Sequence, residues 1–506
     1  MTAAASPPDD DIAALAKGGR TNFFGFVLRL VARLPFLFIA GQFYGPEILG
    51  RFAYAIIVIE FAAQLATLGL KRGLAQQLQS TDRPHVCVVW DSLLAAFIAS
   101  AIASAVLMVF PQAMFPNSEI YGADWLLPLV IFGIAGADVA LAALAYQHNI
   151  AATVRARAIV EPWTISIAAG VMVFFSSRDG LIIAYVISIV AGLIASLVPL
   201  LRAYGVPRGW TPHPGKSLEL ARHNIPLAGA DAIEWGSRRL DVAILGLFVA
   251  PYYVGVYYVA QQIASLPQRM KTSFDPILAP VITERLAAKD YKAVARQVRQ
   301  VGFWIIAAQL GIAFALGIPG EALMSLVGTA FAGGALALAF LLGAEAVAAT
   351  AAVSEAALVY VARNRNLMIS ALMIGVQAVL TVAILTAIGA LGLPDEERQV
   401  YQSAGAAGAL ALALGMSSIL KARLLKHLLG DPVVGWRWSL GWAAAAALIV
   451  GLPIMWLPDW FQLTLGAPLI LIAFGVMVWT RGFTAEDRIL FRLRKDEEPA
   501  LPNLAP

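Results

Sequence analysis

The residues "GQFYGPEILGRF" at 41–52 align without a gap with "GLFVAPYYVGVY" at 246–257. The offset of 205 residues matches Gly41 with Gly246, Phe43 with Phe248, Pro46 with Pro251, Gly50 with Gly255 and aromatic Phe52 with aromatic Tyr257. Carried back toward each preceding segment, it pairs Arg33 with Arg238 and Arg29 with Glu234. Gly and Pro are common between helices, so chance is the competing explanation; the gapless run to paired arginines favours an internal repeat.

Working outward, the chain has 506 residues, 60% hydrophobic and 13% charged, against roughly 25% charged in a soluble domain. Its mean hydropathy is +0.75. This is the composition of an integral membrane protein. Apolar stretches near the length needed to span a bilayer fall at 23–44, 47–70, 86–110, 125–148, 159–176, 181–201, 227–249, 252–274, 299–319, 335–361, 367–392, 399–420, 438–457 and 463–480. Fourteen segments follow, in an all-α polytopic bundle. The first and seventh are separated by an even number of crossings, so the repeat is parallel rather than inverted.

Basic residues set the orientation. Of the 36 Lys and Arg residues, 29 lie in the two tails and in alternate loops on one side, and only Arg51, Arg178 and Arg398 on the other. Positive loops mark the cytoplasm, so both termini are expected there. The predicted organisation is a cytosolic tail (1–20), a first lobe (21–201), a cytoplasmic linker (202–226), a second lobe (227–422), two further helices (423–481) and a C-terminal tail (482–506). The stretch 275–298 reads as an amphipathic surface helix.

Several chemistries are excluded. Cys87 is the only cysteine, so no intrachain disulfide or cysteine-based metal site is possible. The acidic, Pro-containing start is unlike the basic region of a signal peptide. "GWTPHPGKS" at 209–217 has five residues between Gly209 and Gly215 where a phosphate-cradling loop needs four. His85, His148, His213, His223 and His427 lack ligand spacing. The outer loops are too short to fold as a catalytic domain, so an enzyme is not expected.

The informative residues are charges inside apolar segments, where each costs about 2.5–3.5 kcal/mol on insertion scales. In the seventh segment Asp231, Glu234, Arg238 and Asp241 are spaced three, four and three apart, which places them on one helical stripe; Arg239 lies about 100° round from Arg238. In the first segment Arg29 and Arg33 share a face with Asn22. Glu60, Asp138, Glu161, Glu345 and Glu355 are further acids in apolar surroundings. Two readings stand. Glu234 and Arg238 can pair within one helix, and Glu60 can neutralise Arg29, as structural contacts. Alternatively Arg29, Arg33, Arg238 and Arg239 converge on a central cavity and hold an anionic head group, guanidinium being suited to bidentate contact with phosphate.

"NFFGFVLRLVARLPFLFIAGQFYGPEILGRFAYA" from residue 22, "FAAQLATLGLKRGLAQQL" from 61 and "RRLDVAILGLFVAPYYVGVYYVAQQIASLPQRM" from 238 resemble the polysaccharide-transport (Wzx-like O-antigen) family of lipid-linked oligosaccharide flippases. These share a superfamily with lipid II flippases and multidrug exporters. The resemblance implies two six-helix lobes in a V, two added helices, and alternating access to a cationic central cavity. It further implies movement of undecaprenyl-diphosphate-linked glycan across the bacterial inner membrane for lipopolysaccharide or exopolysaccharide synthesis, with a glycan polymerase and a chain-length regulator as partners. The family's cavity arginines carry over onto Arg29, Arg33, Arg238 and Arg239. No cofactor is expected. Proton or sodium coupling, or the membrane potential, would supply energy, with Glu60, Asp138, Asp231, Glu234 and Asp241 as ion carriers or counter-charges. A lipid II flippase, a multidrug exporter and a scaffold for glycosyltransferases are the competing functions.

Overall fold

Runs of apolar residues punctuated by Gly and Pro dictate helices, and the described residues form helices and connecting turns with no strand. The computed structural model describes residues 34–207, 210–211, 214–272 and 282–484. Asn22, Arg29, Arg33, Gly209, His213, both expected tails except the first three residues of the C-terminal one, and residues 275–281 of the expected surface helix lie outside them.

After the π-helical turn Ala40–Tyr44, Gly45 takes φ +77 and turns the chain into α1, Gly45–Ala66. Pro46 sits in the first turn, where its missing N–H breaks no helical bond. Left-handed Leu68 and Gly69 then end the apolar run, and a polar helix, α2 (Leu70–Ser80), follows. The first half continues through α3 (His85–Val109), α4 (Leu127–Tyr146), a π-helical stretch Val154–Val160 leading into α5 (Glu161–Met172), and α6 (Gly180–Tyr204).

The second half comprises α7 (Pro214–Phe248), α8 (Pro251–Thr272), α9 (Tyr291–Gly317), α10 (Gly320–Val327), α11 (Ala335–Ala349), α12 (Ala352–Val361), α13 (Arg363–Gly389) and α14 (Asp395–Leu429). Then come α15 (Ser439–Ile454) and α16 (Ala467–Met477). Among the described residues nine helices are long and apolar enough to cross a membrane. This is a multi-pass, all-helical membrane protein.

Three details differ from the sequence reading. Residues 214–226, expected as linker, are helical and continuous with α7 through Pro226. The single segment 335–361 is two helices, broken at Thr350–Ala351. From Tyr291 onward the expected surface helix is the first part of α9.

One buried apolar cluster runs from the first half across α7 and α8 into α11, and a second joins α9, α12, α14, α15 and α16. The halves meet where the repeat lies, α1 against α8. A side chain on Gly50 would collide with the Pro251 carbonyl, and one on Gly255 with the Pro46 carbonyl. Each repeat's glycine therefore receives the other repeat's proline turn, the reciprocal contact expected of a two-fold-related pair.

Candidate functional site

A cavity of about 740 Å³ lies among α1, α2, α4, α5, α6, α7 and α8. It falls within the usual range of ligand pockets, roughly 300–1,000 Å³. Its walls include Phe36, Phe52, Ile56, Ile134, Leu141, Ile189 and Trp235, and its charged lining is Glu60, Lys71, Asp138, Arg157, Glu161 and Arg239. Three acids thus face three bases. The cationic cavity implied by the family resemblance is, among the described residues, a charge-balanced one.

Arg157 organises the acidic side. Its Nη1 donates to Glu161 Oε1 at 2.7 Å, and its Nη2 bonds Asp138. Lys71 Nζ lies 3.9 Å from the other Asp138 oxygen. Gly192 of α6 stands so close to the Glu161 carboxylate that a side chain there would displace it. Across the cavity Arg239 of α7 faces Glu60 of α1 at 3.9 Å, an ion pair joining the two halves. Glu60 therefore pairs with Arg239; its expected neutralisation of Arg29 lies outside the described residues.

The expected acidic stripe of α7 does not line this cavity. Trp235 and Arg239, one helical position on, do. The reason is that neighbouring helices occupy the stripe. Arg72 of α2 donates to Asp231 at 2.7 Å and also bonds Glu234, while Glu234 lies 3.6 Å from Arg238. Asp241, only 1% exposed, accepts from Tyr257 Oη at 2.7 Å and from Gln261 Nε2 at 3.1 Å, both on α8. Arg238 is 53% exposed and is absent from the cavity lining. The structure thus brings Arg239, Glu60 and Asp138 together at the cavity, leaves Asp231, Glu234 and Asp241 in contacts between helices, and pairs half-exposed Arg238 with Glu234 within α7.

Sequence reasoning missed Arg157 and Lys71, counting both as cytoplasmic loop charges. The i,i+4 spacing of Arg157 and Glu161 was the available signal. Arg51, counted as an outer-loop charge, is a buried ion-pair partner of Asp124, with Phe115 and Tyr121 under its guanidinium. Glu355 pairs with buried Lys421 at 2.8 Å, far along the chain from the cavity.

Residues 42–318, more than half the chain and including every charged group that lines the cavity, match the family described as "Polysaccharide biosynthesis protein". The chain belongs to that family. No curated protein matches it in sequence. Among solved structures it is similar to the lipid II flippase MurJ in an inward closed conformation, with TM-score 0.67 and 11% identity over 93% of this chain and 98% of that one. An inward-facing multidrug transporter of the MATE family aligns at TM-score 0.61 and 12% identity, covering 80% and 94%. A transporter of the MOP superfamily from Pyrococcus furiosus aligns at 0.53 and 13%, covering 84% and 96%. The protein shares the fold of that superfamily.

Proposed function

We propose that this polysaccharide biosynthesis protein is a flippase that moves undecaprenyl-diphosphate-linked oligosaccharide across the bacterial inner membrane by alternating access. The observation that carries the reading is the cavity, apolar on several walls and bridged between halves by Arg239 and Glu60. Such a substrate has a glycan that hydrocarbon excludes, a doubly anionic diphosphate, and a tail that stays in lipid. Arg239, which lines the cavity, together with Arg29 and Arg33, would replace water around the phosphates; Arg238, outside the lining, is not among these ligands. Rocking of one half on the other would then re-expose the head group on the far side.

The chain supplies no nucleotide-binding motif, so proton or sodium coupling or the membrane potential is the proposed energy source. Of the five carboxylates expected as ion carriers, Glu60 and Asp138 are favoured because they line the cavity. A polymerase and a chain-length regulator would receive the flipped glycan.

The test is a deletion strain whose lipid extract is resolved by mass. Accumulation of a lipid-linked oligosaccharide with loss of surface polysaccharide supports the reading. Accumulation of lipid II would move the protein to cell-wall synthesis, and drug sensitivity with normal glycan would make it an exporter.

A further inference from the structure

Arg157 stands apart from the other cavity cations. It is carried by seven π-helical residues, Val154–Val160, a geometry that is rare and recurs at functional sites. The insertion aims its guanidinium between two carboxylates from different helices, Asp138 on α4 and Glu161 on α5. All three line the cavity. The two carboxylates are not equivalent. Asp138 is further held by Lys71 and is 8% exposed, whereas Glu161 is 16% exposed and sits one turn from Arg157 on a longer side chain. The space beside Glu161 is kept by Gly192.

We propose that Arg157 is a diphosphate ligand held in reserve by Glu161, and that the entering diphosphate displaces the Glu161 carboxylate, which takes up one proton from solvent. The inference rests on the flippase reading. Guanidinium pairs with phosphate in the same fork geometry it uses for carboxylate, so the exchange keeps its hydrogen bonds. A dianionic diphosphate beside an ionised Glu161 would meet like charge at close range in a low-dielectric site, and protonation of that carboxylate removes the repulsion. The proton adds to a Glu161 oxygen to give the neutral acid, and no bond to phosphorus changes. Among the described residues the other groups of this cavity are already balanced: Lys71 faces Asp138, Arg239 faces Glu60, and Tyr185 and Tyr258 complete the ionisable lining. Binding is then linked to proton uptake, and affinity rises as pH falls.

The test uses the full chain purified in nanodiscs and a soluble probe, farnesyl-diphospho-glucose, whose two charges do not titrate near neutrality. Calorimetry in buffers of different ionisation enthalpy counts protons taken up per probe bound. Wild type is expected to take up about one, and to bind up to about tenfold tighter per unit fall in pH between about pH 6 and 8. Glu161→Gln should bind at least as tightly as wild type, with no proton uptake and no pH dependence. Arg157→Gln should lose at least tenfold in affinity, and Arg157→Lys should recover only part of it, with thermal unfolding confirming that each variant is folded. Wild-type binding without proton uptake, or Glu161→Gln keeping the wild-type pH dependence, would overturn the inference and leave the flippase reading standing. No binding of the probe by wild type at any pH would overturn both.

Discussion

Gly50 and Gly255 occupy equivalent positions 205 residues apart, and each packs against the proline turn that opens the other's helix. The neighbour on each side is a backbone carbonyl, which cannot swing away as a side chain could. Gly50→Ala and Gly255→Ala should each cost about 1–3 kcal/mol, the usual penalty of overpacking. Because parting α1 from α8 relieves both clashes, the double variant should lose less than the sum. Thermal unfolding in detergent measures this; strict additivity would contradict a shared contact.

Arg72 of α2 bridges to Asp231 and Glu234 of α7, tying the first half to the second beside the cavity. Asp231 is buried, but Arg72 and Glu234 are each about half exposed, so loss of the Glu234 arm alone should cost no more than about 1 kcal/mol of stability. The same energy placed on an opening equilibrium shifts populations about fivefold. Glu234→Gln should therefore leave the melting temperature nearly unchanged while speeding labelling of a cysteine placed at Gln262, in the cavity wall, on a Cys87→Ser background. Equal labelling rates would mean that this ion pair does not hold the cavity shut.

The Arg51 and Asp124 pair is buried on both sides, and Arg51 Nη1 reaches Asp124 Oδ1 at 3.0 Å. Removing one partner strands the other charge, at a cost of about 3–5 kcal/mol. Asp124→Asn should reduce the amount of folded protein in the membrane, and transport per folded molecule should stay within twofold of wild type. A large drop in specific transport with normal abundance would assign this pair to transport instead.

Asp241 is predicted to behave in the same way as Asp124. It lies under Tyr257 and Gln261 within the α7 and α8 pair, away from the cavity lining. Tyr257→Phe leaves a buried carboxylate short of one donor, worth about 1–3 kcal/mol, and should lower the unfolding temperature without changing the proton dependence of transport. A changed proton dependence would return Asp241 to the coupling pathway.

The repeat was legible because packing at the joint between halves tolerates so little variation at Gly50, Gly255, Pro46 and Pro251 that the residues themselves persist in register. Fold class was legible for a related reason, since apolar runs of spanning length admit few alternatives. Arg157 was not legible, because a basic residue near a helix end looks the same in sequence whether it faces cytoplasm or turns inward on a π-helical insertion. Arg51 was misread because its partner Asp124 lies 73 residues away, beyond any local pattern. On α7 the spacing correctly put Asp231, Glu234, Arg238 and Asp241 on one face. It did not say which neighbour covers that face, and Arg72, Tyr257 and Gln261 take it. The linker was expected to run to residue 226, yet α7 begins at Pro214 and continues through Pro226.

Transbilayer movement measured on the purified chain in sealed vesicles tests the central claim most directly. Vesicles would carry a fluorescent polyprenyl-diphosphate oligosaccharide in the inner leaflet, with its appearance outside followed by an impermeant quencher. The account predicts that wild type accelerates appearance well above empty vesicles, that Arg239→Gln slows it by at least about tenfold, and that Arg239→Lys restores only part, because a point charge lacks the guanidinium fork. Equal rates in vesicles with and without the protein, across imposed pH, sodium and potential gradients, would contradict it.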